Sequence, residues 1–255
     1  MSVPTGPEIR TALVTGAAGT MGRAATQGLL ADGVRVAVAD INLEALENVR
    51  KELAEGGEGD RLYTISFDIS DADACGSAVR QIVKDFGSID ILVNNAGILS
   101  KNKIADTTPE EWRKVFAVNL DGAFYLCKAC LPGMRERKWG RIINVCSFAA
   151  KSGGITAGTS YSVSKSAMIG LTFSLAAETT ATGITVNGIA PAYVKTPMVT
   201  QQLSEEERQA VIAKIPVGRY CEPEEFAHVV RFLASPLAGF ITGEIIDQNG
   251  GLQFD

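Results

Sequence analysis

The sequence holds a single histidine, His228, and has no continuous apolar run of about 18 residues. One histidine cannot build a multi-histidine zinc site, and no Gly-x-Ser-x-Gly elbow is present for a hydrolase triad. His228 reads as a helix side chain near the surface, within Glu224–Ala234. Basic residues are outnumbered, 24 Lys and Arg against 29 Asp and Glu, for a formal net charge of −5. That balance speaks against a nucleic-acid partner, which needs a basic surface. The missing apolar run predicts no membrane partner. Residues Met1–Arg10 lack the basic-then-apolar order of a secretory signal. The five cysteines, Cys75, Cys127, Cys130, Cys146 and Cys221, are odd in number and scattered. Reduced thiols in a cytoplasmic protein are the simplest account of them. Cys127 and Cys130 form a C-x-x-C, but they sit in the middle of a helix-like run, Ala123–Leu131, and read as core residues.

What is present is a long alternation of short apolar runs and amphipathic segments in 255 residues. Thr11–Thr15, Val34–Ala39, Leu62–Phe67, Ile89–Val93, Arg141–Cys146 and Ile184–Ile189 read as strands. Several are almost wholly apolar, as strands covered on both faces are. Helices are predicted near 21–32, 42–55, 71–86, 109–135 and 160–182. Thr108-Pro109-Glu110-Glu111 supplies a capping box with proline at the first helical position, and Ser204–Glu207 supplies another box. Such alternation predicts an α/β fold, a doubly wound, mostly parallel sheet with helices on both faces. No linker, repeat or low-complexity tract divides the chain, so residues 1–255 are expected to form one domain.

The first strand runs into Thr15-Gly-Ala-Ala-Gly-Thr-Met-Gly22, and a helix follows at once. Glycines there let the backbone turn and approach a pyrophosphate, and the helix N-terminus offers N–H groups and a positive dipole end. Asp40 ends the second strand, eighteen residues after Gly22. A carboxylate in that place accepts from the adenosine ribose hydroxyls and repels a 2′-phosphate, so NAD is favoured over NADP. The competing reading makes Asp40 the N-cap of the next helix.

Tyr161 and Lys165 are four residues apart in a predicted helix, hence on one face. A nearby ammonium lowers the pKa of a phenol toward the range in which it can exchange a proton. Ser147 follows the Arg141–Cys146 strand, on the edge where open α/β sheets place their sites, and its hydroxyl can donate to a developing alkoxide.

With these pieces in place, the sequence resembles the short-chain dehydrogenase/reductase family in its form of about 250 residues, over roughly residues 8–252. The matching segments are the glycine-rich turn, Asp68 after the third strand, Asn94-Asn-Ala-Gly97 after the fourth and Asn119 in the long helix. They continue with Ser147, Tyr161-x-x-x-Lys165, Pro191–Thr196, and a C-terminal Ile241–Gly251 that looks like the family's last strand. The resemblance implies a Rossmann-like domain with a seven-stranded sheet and an NAD(H)-dependent oxidoreductase acting on a secondary alcohol or ketone. It implies Tyr161 as general acid/base, Ser147 orienting the substrate oxygen, Lys165 on the nicotinamide ribose, and Asn119 holding a relay water. It further implies a cofactor site of Gly16, Gly19, Thr20, Met21, Gly22, Asp40, Ile41, Asp68, Ile69, Asn95, Ala96, Gly97, Tyr161, Lys165, Pro191, Val194 and Thr196. No metal is implied. A homotetramer is, with the 109–135 and 160–182 helices in one interface and the C-terminal strand in another.

Two positions depart from the family's usual pattern. Thr20 stands where the middle glycine of the turn is usual, with Gly19 one place earlier, so its side chain either crowds the pyrophosphate or hydrogen-bonds to it. Ala192 stands where glycine usually follows Pro191, which restricts the backbone beside the nicotinamide.

Substrate specificity is expected on the loops Ile98–Asp106, Phe148–Thr159 and Ala192–Pro216. Phe148, Ile155, Tyr193 and Met198, with Ser147 and Tyr161, make a partly apolar substrate pocket, while Lys101, Lys103 and Lys195 leave room for an acidic or polyol substrate. Ala192–Pro216 is long for its connection and is expected to act as a lid. Two other functions fit parts of the pattern. One is an NADPH-dependent 3-oxoacyl-thioester reductase, against which Asp40 argues. The other is a non-catalytic nucleotide-binding regulatory module, which has no need of Ser147, Tyr161 and Lys165 together.

Overall fold

A computed structural model describes residues 9–197 and 204–254. In chain order the elements are β1 Thr11–Thr15, α1 Thr20–Ala31, β2 Arg35–Asp40, α2 Leu43–Glu55, β3 Leu62–Ser66, α3 Ala72–Phe86 and β4 Ile91–Asn94. Next come α4 Pro109–Phe116, a π-helical turn Ala117–Asp121, α5 Gly122–Arg137, β5 Gly140–Val145 and the short α6 Ala149–Ser152. Then follow α7 Thr159–Thr179, β6 Ile184–Pro191, α8 Glu205–Ile212, α9 Pro223–Ala234 and β7 Ile245–Gln248.

The seven strands lie in the order β3-β2-β1-β4-β5-β6-β7, and every neighbouring pair is parallel. The sheet is thus wholly parallel, where the sequence argued for mostly parallel. Strands β1, β4, β5 and β6 are buried along their whole length, which is why they read as apolar runs without alternation. Successive side chains still point to opposite faces. Val36 and Val38 belong to the core on one side, with Leu29, Leu46, Phe226 and Val230, and Ala37 and Ala39 to the core on the other, with Cys75, Ile82, Leu126 and Met134.

Helix starts follow the sequence closely. Asn42 caps α2 by accepting from Ala45 N–H, Asp71 caps α3, and Thr108 caps α4 by accepting from Glu111 N–H, with Pro109 first in the helix. The capping box of α9 escaped the sequence reading, because its cap is Glu222, paired with Glu225, and not one of the short polar residues that signal a start.

Cys127 and Cys130 are buried in α5, and burial pushes the Cys127 thiol up to about 12 and that of Cys130 higher still. They are packed thiols, as the mid-helix position implied. His228 lies exposed on α9. The stretch Pro109–Arg137 is long and apolar enough, by composition alone, to cross a membrane. In this fold it lays Leu126, Cys127, Cys130 and Met134 into the core between the sheet and α3.

Candidate active site

The chain leaves β1 toward β2 and β3, then returns to place β4 on the other side of β1. Connections from β1 and β4 therefore diverge at the carboxyl ends of the strands and open a crevice between them. The β1 turn lies on one side and Asn95-Ala96-Gly97 on the other. Thr15 Oγ1 accepts from the N–H groups of Asn95 at 3.1 Å and Ala96 at 3.0 Å, while Asn95 Nδ2 donates to the carbonyls of Thr15 at 2.8 Å and Gly16 at 3.2 Å. Asn95 thus ties the two walls together.

Two glycines of the turn are required by its geometry. Gly16 has φ +62°, and a Cβ there would stand 2.8 Å from Ala96 Cα. A Cβ on Gly22 would fall 2.3 Å from the Gly16 carbonyl oxygen and 2.8 Å from Ala17 Cα. Gly19 is different. It is the N-cap of α1 at φ −78°, ψ 161°, and a Cβ there would make an ordinary contact of 3.4 Å. The exchange of glycine and threonine at 19 and 20 therefore leaves the turn unstrained. The first helical hydrogen bond runs from Arg23 N–H to Gly19 O, so the N–H groups of Thr20, Met21 and Gly22 precede the ladder, the arrangement that suits an anion at a helix start. Ala192 is equally unstrained. Its N–H pairs with Gln248 O at 3.0 Å, and it has no positive φ.

Asp40 does not cap α2, which is Asn42's role. Its carboxylate accepts from Ala18 N–H at 3.2 Å and Asn42 N–H at 3.1 Å, holding the turn to the end of β2. Lone pairs on both oxygens stay available to further donors. Ile41 beside it is exposed, and Ser66 Oγ donates to its carbonyl at 3.2 Å. Asp68 is exposed past the end of β3, accepting from Ser70, and Ile69 packs against Gly122 at the start of α5. These four residues lie along the open sheet edge, outside the cavity described next.

The cavity has a volume of about 540 Å³ and holds both halves of the expected chemistry. Met21, Asn95, Gly97, Lys165, Pro191, Val194 and Thr196 line it together with Ser147, Phe148, Ile155, Tyr161 and Tyr193. Met198 lies outside the described residues. Leu99, Thr156 and Val211 also line it and were not singled out in the sequence; each lies in one of the loops expected to carry specificity.

Ser147 Oγ accepts from Ala149 N–H at 3.1 Å, and the Tyr161 side chain stands beside it in the same cavity. Lys165 Nζ is 6.0 Å from the Tyr161 ring centroid and donates to Val145 O at 2.7 Å. Burial sets the charge states. It pushes the Tyr161 phenol up, with the Ser147 hydrogen bond pulling the other way, and it pushes Lys165 down to about 8. The lowering of Tyr161 expected from the spacing to Lys165 is not what this structure shows: desolvation is the largest influence on the phenol and raises it.

Asn119 is wholly buried in the π-helical turn, an irregularity the sequence did not announce within its continuous 109–135 helix. The turn lets Asn119 donate to Ile98 O and Ser164 Oγ, both at 3.1 Å, and accept from Ile98 N–H at 2.8 Å. A Cβ on Gly97 would stand 3.2 Å from Asn119 Oδ1 and 3.4 Å from Lys165 Nζ, so both side chains converge on the space this glycine leaves open. Lys103 is not a cavity cation. Its Nζ donates to the carbonyls of Gly154 at 2.5 Å and Ala157 at 2.6 Å, and Lys195 pairs with Glu222 at 3.0 Å. Lys101 does line the cavity; with Lys165 it forms the charged part of a lining that contains no acid among the described residues. Nor do the described residues contain a cluster of three His, Cys, Asp or Glu suited to a metal ion.

Comparison with known proteins places these features in company. A family described as enoyl-(acyl carrier protein) reductase matches residues 16–253. The chain is 41% identical to nodulation protein G of Azospirillum brasilense, over 95% of this chain and 98% of that one. It is 41% identical to the acetoacetyl-CoA reductase of Rhizobium meliloti, over 96% and 99%. With the 3-oxoacyl-(acyl-carrier-protein) reductase of Vibrio cholerae the identity is 37%, over 96% and 98%.

Proposed function

The chain belongs to the short-chain dehydrogenase/reductase family of oxidoreductases acting on carbonyl or CH–OH carbons, and on that premise we propose an NAD(H)-dependent enzyme that interconverts a secondary alcohol and a ketone in one domain. The observation that carries this reading is the convergence of Ser147, Tyr161, Lys165 and Gly97 on one cavity that continues toward the turn of Gly16–Gly22. That turn fits a dinucleotide: its glycines clear space for a pyrophosphate, and the start of α1 points N–H groups into it. The nicotinamide, when bound, supplies or accepts the hydride. Lys165 keeps ammonium protons for the ribose hydroxyls beside its bond to Val145. Tyr161 holds the proton that passes to or from the substrate oxygen, and Ser147 donates a hydrogen bond to the same oxygen. Asn119 fixes Ile98 for a water that carries the proton onward.

Asp40 decides the cofactor. NAD should exceed NADP in kcat/KM by at least about tenfold, which corresponds to about 1.4 kcal/mol. Comparable efficiency with the two would remove Asp40 from its role. Asp40→Ser should narrow the gap and, because Asp40 holds Ala18 N–H, also weaken both cofactors somewhat.

The cavity walls are apolar at Leu99, Phe148 and Ile155, and the lining carries two cations and no acid, which favours a ketone bearing an anionic group. A second reading, reduction of a 3-oxoacyl thioester with NADPH, draws support from the names of the relatives above. Assaying acetoacetyl-CoA and a panel of simple and carboxylated ketones with NADH and NADPH separates the two.

We further propose a cytoplasmic homotetramer. Phe124 on α5 and Val163 and Phe173 on α7 are substantially exposed, as are Phe232, Leu237, Phe240 and Phe254 on the side of α9 and β7. Exposed apolar side chains on two different sets of elements are what two interfaces of a closed assembly need. Light scattering at micromolar concentration should give four times the 27.0 kDa chain; a monomer would refute this assembly.

The connection after β6 brings Tyr193, Val194, Thr196 and Val211 to the cavity, which supports its reading as a lid. Amide exchange in 204–216 should slow when cofactor and substrate are both added. Unchanged protection would count against closure.

A further inference from the structure

Helix α7 carries Tyr161 in its first turn, yet has no side-chain cap of its own. Its starting N–H groups are served from elsewhere: Gly158 donates to Ser100 O at 2.7 Å and Thr159 to Asn102 O at 2.9 Å. The fit is close, since a Cβ on Gly158 would stand 2.5 Å from Asn102 O. Besides these backbone bonds, one carboxylate links the side chains of segment 100–102 to the helix. Glu111, in the first turn of α4, accepts from Ser100 Oγ and, at 3.0 Å, from Ser160 Oγ through Oε1, and from Asn102 Nδ2 at 2.6 Å through Oε2. Ser160 is wholly buried and immediately precedes Tyr161.

We propose that Glu111 is a positioning residue for Tyr161, its carboxylate pinning the first turn of α7 to segment 100–102 and thereby setting where the phenol stands against Ser147. This rests on the reading of Tyr161 as the acid/base. Three donors converge on two oxygens, a task for an acceptor-only group. Glutamine of the same size keeps one acceptor but turns an NH₂ toward the Asn102 NH₂. Pairing it with aspartate at 102 restores the match of donor to acceptor at unchanged net charge.

The test compares wild type, Glu111→Gln, Asn102→Asp and the double variant in kcat, cofactor Kd, Tm and the pH dependence of alcohol oxidation. Glu111→Gln should lower kcat about tenfold, as small misplacements of a reacting group do, with cofactor Kd changed less than about twofold. The apparent pKa of oxidation should move upward as the phenol loses its Ser147 partner, and the double variant should recover both. Faster amide exchange at 159–162 in the cofactor-free single variant gives a readout independent of turnover. If Glu111→Gln is too unstable to assay, Ser160→Ala removes the direct link and should lower kcat about threefold. Wild-type kcat and pH profile in the assayable variant, or a loss that follows Tm and is not recovered in the double variant, would overturn the proposal. A Tyr161→Phe enzyme with full turnover would instead sink the acid/base assignment on which it rests.

Discussion

Replacing Tyr161 by phenylalanine is expected to lower kcat by roughly 10²–10⁴, the usual loss for a positioned acid/base, and to leave NAD affinity nearly unchanged. The substitution removes one hydroxyl at the Ser147 end of the cavity, while the glycine turn reaches that cavity only through Met21. Lys165→Ala should do more damage. It removes the ammonium beside the ring and, on the function proposed above, a donor to the ribose, so the defect should appear in cofactor affinity as well as turnover. The sign of the pH effect follows from burial. A phenol pushed up stays protonated at neutral pH, which suits reduction, while oxidation requires the phenolate and must accelerate as pH rises. At about 8, Lys165 is still mostly ammonium at pH 7, and that charge favours the phenolate. Without it the oxidation profile should move to higher pH. Stopped-flow rates across pH for the three enzymes check each part, and a Tyr161→Phe enzyme that keeps most of its turnover means the acid/base lies elsewhere.

The second large effect is expected from Gly22→Ala. A methyl group at 2.3 Å from the Gly16 carbonyl oxygen and 2.8 Å from Ala17 Cα meets backbone on both sides, which cannot swing away as a side chain would. Overpacking of this kind costs about 3 kcal/mol, equivalent to a fall in Tm of about 6–12 °C at this chain length. Cofactor affinity should fall with it, because the start of α1 must move outward from the crevice. Gly19→Ala makes a contact of only 3.4 Å in an extended conformation and should keep both properties. Differential scanning calorimetry and cofactor titration of the two variants form the comparison. Equal behaviour would mean that the turn is looser than its geometry implies.

Much of this architecture was legible because period and punctuation agreed. The buried strands announced themselves as apolar runs, and Thr108 and Pro109 fixed the start of α4 to the residue. Tyr161 and Lys165 met on a helix face as their spacing required. Other features carry no one-dimensional trace. The π-helical turn that swings Asn119 inward has ordinary helix-forming neighbours, and nothing in Ala117–Asp121 marks a bulge. The charge states could not be read from spacing either. The spacing of Tyr161 and Lys165 says nothing of the burial that raises one and lowers the other, because burial depends on parts of the chain far away in sequence. Lys103 looked like a cavity cation until the two carbonyls that claim it came into view. Glu111 was read as part of a capping box, and its backbone does serve there, while its carboxylate turned out to serve another helix.

The order of strands also constrains how such a molecule can be made. Thr15 and Asn95, which close the crevice together, are 80 residues apart in the chain. The nascent polypeptide completes β1, β2 and β3 while the central neighbour of β1 has not yet been synthesised. Until β4 arrives, one long side of β1 is an open edge exposed to mispairing. Contacts of such sequence separation also make folding slow. A dinucleotide that bridges the two walls binds only after they have met, so it stabilises the finished sheet and none of its precursors. At a concentration 100 times Kd that selective binding is worth about 2.7 kcal/mol. Cofactor supply would then influence the steady-state abundance of the protein as well as its rate.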